Sequence, residues 1–229
     1  MDPQKKINDF NIWSKEHSEK YDENNYNSGV GGYCMRAGHA VLEKGVSRKL
    51  YEKVLEVGSG SGVHIEYVNH EYHEYYVTDA SNSMLDICRS NIDKDNVVFQ
   101  LENAIELSFE DDFFDRVIAC HVLEHLSNPI DALLEWYRKC KSGGVISILL
   151  PCDPGLMWRF GRTLGPRKKY ESMGLPYDFI MANEHINPIT NLIAIIRFLF
   201  DDVQESWWPT KVPNTDLNLF YCVHINVEK

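Results

Sequence analysis

The sequence has no apolar run long enough to cross a bilayer. Its most apolar stretch, "NLIAIIRFLF" (residues 191–200), is too short and contains Arg197. The opening "MDPQKKINDFNIWSKEHSEK" has no apolar signal core, so the chain reads as untargeted and cytoplasmic, with no membrane span. Also missing are a CxxC pair, a secreted-scaffold cysteine spacing and an HExxH run. The six cysteines, at 34, 88, 120, 140, 152 and 222, therefore read as reduced thiols, and no metal-ligand set is expected. Positive charge is scarce: 23 Lys and Arg stand against 34 Asp and Glu, for a net charge of -11. That balance argues against a broad phosphate-binding surface and so against a nucleic-acid partner. No repeat or low-complexity tract is visible, and 44% hydrophobic content over 229 residues suits one sizeable core.

What is present alternates between two patterns. "KVLEVG" (53–58), "HEYYVTD" (73–79), "NVVFQL" (96–101), "DRVIACH" (115–121) and "GVISILL" (144–150) have the apolar character of buried strands. Between them lie helical patterns. Ser81 is placed to cap a helix carrying Met84, Leu85 and Cys88; Asn128-Pro129 sets a capping side chain before a proline, with Gly143-Gly144 beyond that helix. Asn187-Pro188 opens another. The link near Pro213-Asn214 between "DVQESWWPTKV" and "LNLFYCVHINVEK" is too short for a parallel crossover, so the last two strands are expected to be antiparallel. The expected fold is α/β, a Rossmann-like doubly wound sheet, mostly parallel with an antiparallel last strand.

"VLEVGSGSGVH" (54–64) breaks an apolar strand into glycines 58, 60 and 62. Such a loop admits close approach of a ligand to the backbone, and a helix expected after it would favour a polar or anionic group; a purely structural turn is the competing reading. Asp79, ending the next strand, can accept hydrogen bonds from ribose hydroxyls or cap the following helix. A dinucleotide fingerprint would need glycine at position 63, which is Val63. Glu56 ahead of the loop would repel a pyrophosphate and suits a ligand bearing positive charge, which favours S-adenosylmethionine over NAD.

Together "VLEVGSGSG", "VTDAS", "ENAIELSFEDDFFDRV", "VLEHLSNP" and "CKSGGVISILLP" resemble the ordered motifs of class I S-adenosylmethionine-dependent methyltransferases, over roughly residues 50 to 151. The resemblance implies a seven-stranded sheet with a reversed seventh strand. It implies that Glu56 and Gly58, Ser59, Gly60 and Gly62 line the methionine and ribose side, that Asp79 takes the ribose hydroxyls, and that Ala80 packs on adenine. Asn103-Ala104 match a family Asp-Ala facing the adenine amino group, with Asn here in place of the charge. His121 would stand near the methionine portion and the transferable methyl. The chain divides into an N-terminal helical cover or lid (1–50), a cofactor-binding core (51–151), an acceptor-pocket insertion and helix (152–200) and C-terminal antiparallel strands (201–229). Tyr21, Tyr26 and Tyr33 are lid candidates.

A hydroxyl acceptor must lose a proton, whereas an amine need only be neutral. His121 and His185 are the candidate bases; His125 matches a position that is usually structural, and Glu184 stands beside His185 in "ANEHINP". Arg159, Arg162, Arg167, Lys168 and Lys169 form a basic cluster in an acidic chain, suited either to an anionic acceptor or to solvated surface. "LPCDPGLMWRFGR" and "ANEHINP" are similar to methyltransferases of bacterial surface-polysaccharide gene clusters, which implies an activated sugar or glycan acceptor. A quinone-like metabolite and a non-catalytic cofactor-binding module are the alternatives.

Overall fold

A computed structural model of the chain describes residues 29–229 together with Ile7. Its strands are Tyr51–Val57 (β1), Tyr72–Asp79 (β2), Val97–Leu101 (β3), Phe114–Cys120 (β4), Cys140–Pro151 (β5), Val203–Pro209 (β6) and Asn218–Asn226 (β7). The α-helices among the described residues are Gly29–Lys44 (α1), Asn82–Asn91 (α2), Pro129–Lys139 (α3), Leu156–Leu164 (α4), Pro166–Ser172 (α5), Tyr177–Glu184 (α6) and Ile189–Leu199 (α7). The strands form one sheet in the order β3-β2-β1-β4-β5-β7-β6. Only β7 is reversed: it pairs antiparallel with both β5 and β6, while the remaining pairs are parallel. A short connection ending in a 3-10 turn at Thr215–Leu217 joins β6 to β7, and the Asn214 side chain fixes it by accepting from Asp216 N at 2.8 Å.

Both faces of the sheet are covered, which is why its strands read as apolar runs. On one face Leu55, Val57, Val117, Ala119, Ile146 and Ile148 pack with Trp136 of α3 and with Leu192, Ile193 and Ile196 of α7. On the other, Val54, Ile118, Leu149, Phe220 and Cys222 pack with Leu42 of α1 and with Leu85 and Cys88 of α2. The second face also buries charge. Arg116 of β4 donates to Glu43 of α1 at 2.6 and 3.1 Å, and Glu43 accepts from His64 as well. Burial alone would raise the Glu43 carboxyl, but the His64 hydrogen bond and the Arg116 charge hold it well below the usual range. Losing one member would strand the other without water, so this pair ties α1 to the sheet.

Three local expectations need correction. Ser81 does cap α2, accepting from Met84 N at 3.4 Å, but Asn128 donates its amide to Asp131 and leaves the start of α3 to Pro129. Gly143 and Gly144 do lie beyond α3, but β5 begins earlier than expected, at Cys140, and its register with β4 shifts between Phe114 and Arg116. No α-helix follows the glycine loop: Val63–Glu66 forms a single 3-10 turn. The segment "VHIEYVNHEYH" is rich in β-branched and aromatic residues and its chain must reach β2 at Tyr72, so only one turn fits. No disulfide links the six cysteines. Among the described residues no helix is long and apolar enough to cross a membrane.

Candidate active site and cofactor cradle

β1 and β4 are neighbours in the sheet although β2 and β3 lie between them in sequence. The winding reverses there, which opens a crevice beyond the C-terminal ends of the two strands. The glycine loop forms one wall. Gly60 has φ +56, and a Cβ on it would meet nothing within 4 Å, so its outer side is open space over a backbone that L residues rarely adopt. Gly58 has the opposite constraint, since its Cβ would fall 2.7 Å from Val122 Cγ2. The loop is held rather than loose: Ser59 N donates to Thr78 O and Gly62 N to Ser59 O, both at 2.9 Å. Asp79 completes the frame, with Oδ2 accepting from Gly60 N at 2.9 Å and Oδ1 from Ser81 N at 2.8 Å. Burial pushes its carboxyl up against the pull of those N–H groups.

Beyond Asp79 the end of β3 continues the rim. Glu102 N donates to Asp79 O at 3.1 Å, joining the two strand ends. Asn103 Oδ1 accepts from Ile105 N at 3.2 Å, while Ala104 O accepts from the indole of Trp136 at 2.9 Å. Trp136 is wholly buried, so the core's largest side chain anchors this rim. Ala80 and Asn103 are exposed, and so are Leu101 and Ile105 beside them. These two apolar residues were not singled out in the sequence; their signal was an apolar strand end where a solvent-facing loop begins.

Glu56, expected to line the methionine side, is buried at the end of β1. Its carboxylate is 2% exposed and accepts from Tyr75 OH at 2.7 Å, in the buried polar layer beneath α1. Burial pushes it up. The Glu56 carbonyl accepts from Thr78 Oγ1 at 2.7 Å, so the residue braces the floor of the loop.

The other wall follows β4. His121 adopts φ 59 as the strand ends, and its N–H donates to Leu149 O at 2.9 Å. The imidazole turns back so that Nδ1 lies 3.4 Å from Glu124 Oε1, and its buried Nε2 has no hydrogen-bond partner. Glu124 is itself buried. Burial would raise its carboxyl, but the adjacent His121 imidazole and the charges of His125 and His185 bring it below the ordinary value. His185 places Nδ1 2.8 Å from Asp153 Oδ2, which Arg162 also engages at 2.6 Å. The His125 and His185 rings meet edge-on at 5.1 Å. Asn187 clamps the segment by donating to the carbonyls of Leu123 at 2.9 Å and Leu126 at 2.6 Å. The two histidines singled out in the sequence thus face different carboxylates: His121 lies against Glu124, which His125 also approaches at 3.9 Å, and His185 pairs with Asp153. Neither Glu124 nor Asp153 was legible as their partner, although each stood in a quoted motif.

The basic cluster is partly neutralised within the chain: Arg162 pairs with Asp153, and Arg167 with Asp178 and Glu171. Tyr33 is exposed, its ring 6.4 Å from that of Trp208, whereas Tyr21 and Tyr26 lie outside the described residues. Sequence spacing indicated no metal-ligand set, yet the fold brings one donor atom each from His39, His64 and Cys120 within 4.8 Å of one another.

Residues 55–148 match a family described as a methyltransferase domain. The highly reducing polyketide synthase verA of Penicillium polonicum is 30% identical over 107 residues, covering 42% of this chain and 4% of that protein. The ubiquinone/menaquinone biosynthesis C-methyltransferase UbiE of Vibrio vulnificus (strain YJ016) is 29% identical over 105 residues, covering 43% of this chain and 40% of that protein. The chain therefore spans less than half the length of either relative. A crystal structure from Methanococcus maripaludis, provisionally assigned as an S-adenosyl-L-methionine-dependent methyltransferase, superposes with a TM-score of 0.66 at 15% identity, covering 94% of each chain. The sequence match runs from β1 into β5, through both walls of the crevice, and the likeness in shape extends over the rest of the sheet. Residues 55–148 are thus similar to a methyltransferase domain, and the seven-stranded sheet that carries them has the fold of the Methanococcus maripaludis structure.

Proposed function

We propose that the chain transfers a methyl group from S-adenosylmethionine to a small-molecule acceptor held over the ends of β4 and β5, with His121 taking the acceptor's proton. The observation that carries this reading is the pairing of His121 with the buried Glu124 at the crevice, with Nε2 left unpartnered. Glu124 faces Nδ1 at 3.4 Å, so Nε2 is the nitrogen left to receive a proton, and the adjacent carboxylate would stabilise the imidazolium that results. The cofactor fits the other wall: Gly60 offers open space, Asp79 keeps acceptor capacity beyond its two backbone bonds, and Leu101 and Ile105 offer apolar surface to a base. S-adenosylmethionine, when bound, supplies an electrophilic methyl on a sulfonium. The protein's part is then to align the acceptor, exclude water and hold the released proton. His185, oriented by Asp153, is the second candidate base.

The acceptor enters beneath α4–α6, in the 152–200 insertion, with α1 as part of its cover. Leu156, Phe160 and Leu164 recur on one exposed face of α4, at 61%, 63% and 56% exposure, and Met173 and Phe179 are also exposed in the same insertion. A surface of this kind favours a largely apolar, quinone-like acceptor, which is also the chemistry named for the Vibrio relative. An activated sugar is the second reading, resting on exposed Arg159 and Lys168, since Arg162 and Arg167 already serve carboxylates of this chain.

Titration calorimetry with S-adenosylmethionine and S-adenosylhomocysteine, followed by mass spectrometry of phenolic, quinone-like and nucleotide-sugar acceptors, tests the proposal. Binding of the cofactor with a methylated product from the phenolic group is the expected result. Binding without any product would leave a cofactor-binding module, and preference for NAD would overturn the cofactor. A nucleotide-sugar product whose KM rises with salt and with Arg159→Glu would favour the second reading.

A further inference from the structure

His39 of α1, His64 of the 3-10 turn and Cys120 at the end of β4 converge from three separate elements. His39 Nδ1 lies 3.0 Å from His64 Nδ1, and Cys120 Sγ lies 3.5 Å from that same His64 nitrogen. Both imidazoles are buried, at 2% and 1% exposure, while the cysteine is half-buried. The far nitrogen of His64 faces Glu43 Oε1 at 3.0 Å, and Arg116 holds that carboxylate in place. Glu43 therefore keeps the proton on Nε2 and leaves the Nδ1 lone pair directed at His39 and Cys120. Metal-ligating histidines are oriented in this way, by an outer carboxylate that fixes the tautomer.

The spacing suits a cation. Zinc bonds of about 2.0–2.1 Å to nitrogen and about 2.3 Å to sulfur, arranged tetrahedrally, put neighbouring ligand atoms about 3.3–3.6 Å apart. The observed 3.0 and 3.5 Å edges need only a few tenths of an ångström of adjustment, and the third edge, His39 to Cys120, lies within 4.8 Å and would close as the ion binds. We propose that His39, His64 and Cys120 form a site for one divalent transition-metal ion of the zinc class, with three protein ligands and an open fourth position. Two imidazoles and a thiolate select zinc, cobalt or copper over magnesium or calcium, which prefer oxygen. The Cys120 proton leaves to solvent as the thiolate–metal bond forms, with no change of oxidation state. His64 stands just past Gly62, and Cys120 just before His121, so the ion would lock both walls of the crevice to α1. This inference is independent of the acceptor and of the identity of the base.

Tag-free protein, stripped with chelator and titrated with cobalt(II), gives the test. Expected are one equivalent bound, the visible bands of a four-coordinate site and a thiolate-to-cobalt charge-transfer band, all displaced by one equivalent of zinc. Cys120→Ser should abolish the charge-transfer band and Cys34→Ser should retain it. His39→Gln should weaken zinc binding by at least about 100-fold in a protein whose circular dichroism is unchanged. Failure of the wild-type protein to take up stoichiometric cobalt, or a charge-transfer band that persists in Cys120→Ser, would overturn the site. The wild-type spectrum decides the matter even if a variant fails to fold.

Discussion

The Asp79 carboxylate already accepts from the backbone N–H groups of Gly60 and Ser81, so its removal acts on the loop as well as on any ligand. Asp79→Ala should weaken S-adenosylmethionine binding by about 1.5–3 kcal/mol, the range for a hydrogen bond to a charged group. Calorimetry reads this directly, and unchanged affinity in a folded variant would remove Asp79 from the cradle. His121 calls for a different substitution because its φ is 59. His121→Asn keeps a residue that tolerates the left-handed region and removes the imidazole. Cofactor affinity should hold while turnover falls about 10²–10⁴-fold. A parental rate across pH 6–9 would pass the base role to His185 or to none. At this scale the glycine turn and its bond to Asp79 were legible as local structure because short-range spacing ties them to strand ends. Glu124 and Asp153 were not, because a carboxylate declares its partner only when separate segments meet. The surroundings of Glu56 were hidden for the same reason: adjacency to the loop in sequence gave no indication that its side chain is buried against Tyr75.

Elements were legible where one pattern dominated. The strands, the Ser81 cap and the reversed β7 all follow from local periodicity or from the length of one link. The 3-10 turn in place of a helix after β1 was hidden, since the glycine-loop pattern suggests a helix and only the crowding of "VHIEYVNHEYH" argues otherwise. The proline-led helices carried a second hidden meaning. Asn187 proves to be a clamp on the His121–Leu126 turn rather than a helix cap. Asn187→Ala leaves two carbonyls short of donors and should cost about 1–3 kcal/mol of stability. It should also raise the acceptor's KM with little change in cofactor affinity, because the glycine loop does not touch it. Chemical denaturation together with steady-state kinetics checks both effects. A variant losing stability but keeping its KM would make Asn187 a support for the fold alone. The exposed face of α4 has a simpler expectation: Phe160→Ser should leave the unfolding midpoint within about 0.5 kcal/mol of the parent, as for an ordinary surface change. A rise in acceptor KM in that variant would place the apolar face in contact with the acceptor.

Across the whole molecule the sheet's second face buries an ionisable layer that no composition figure reveals. His224 of β7 belongs to it, 4% exposed, with Nδ1 3.0 Å from Ser147 Oγ of β5. Its Nε2 abuts Gly45, where an added Cβ would fall 2.4 Å away. Burial lowers the imidazole from the ordinary 6.5 to about 4, and the positive charge of Arg116 adds to that shift while Glu43 opposes it. In the unfolded chain His224 takes up its proton near pH 6.5, whereas the folded protein refuses it until about pH 4. The unfolded state then binds more protons throughout that window, so stability is full above pH 6.5 and declines as pH falls towards 4. This one group accounts for at most about 3 kcal/mol of the decline. His70 adds in the same direction, its pKa lowered by burial and by Arg116. His224→Gln should therefore flatten the loss of stability between pH 6.5 and 4 without abolishing it, whatever its effect at neutral pH. Urea unfolding at pH 7, 5.5 and 4.5 measures the slope, with chelator present so that metal release adds nothing. Parallel slopes for parent and variant would mean that His224 is already protonated in the folded protein, in which case Ser147 and the neighbouring backbone must accommodate a second buried cation beside Arg116.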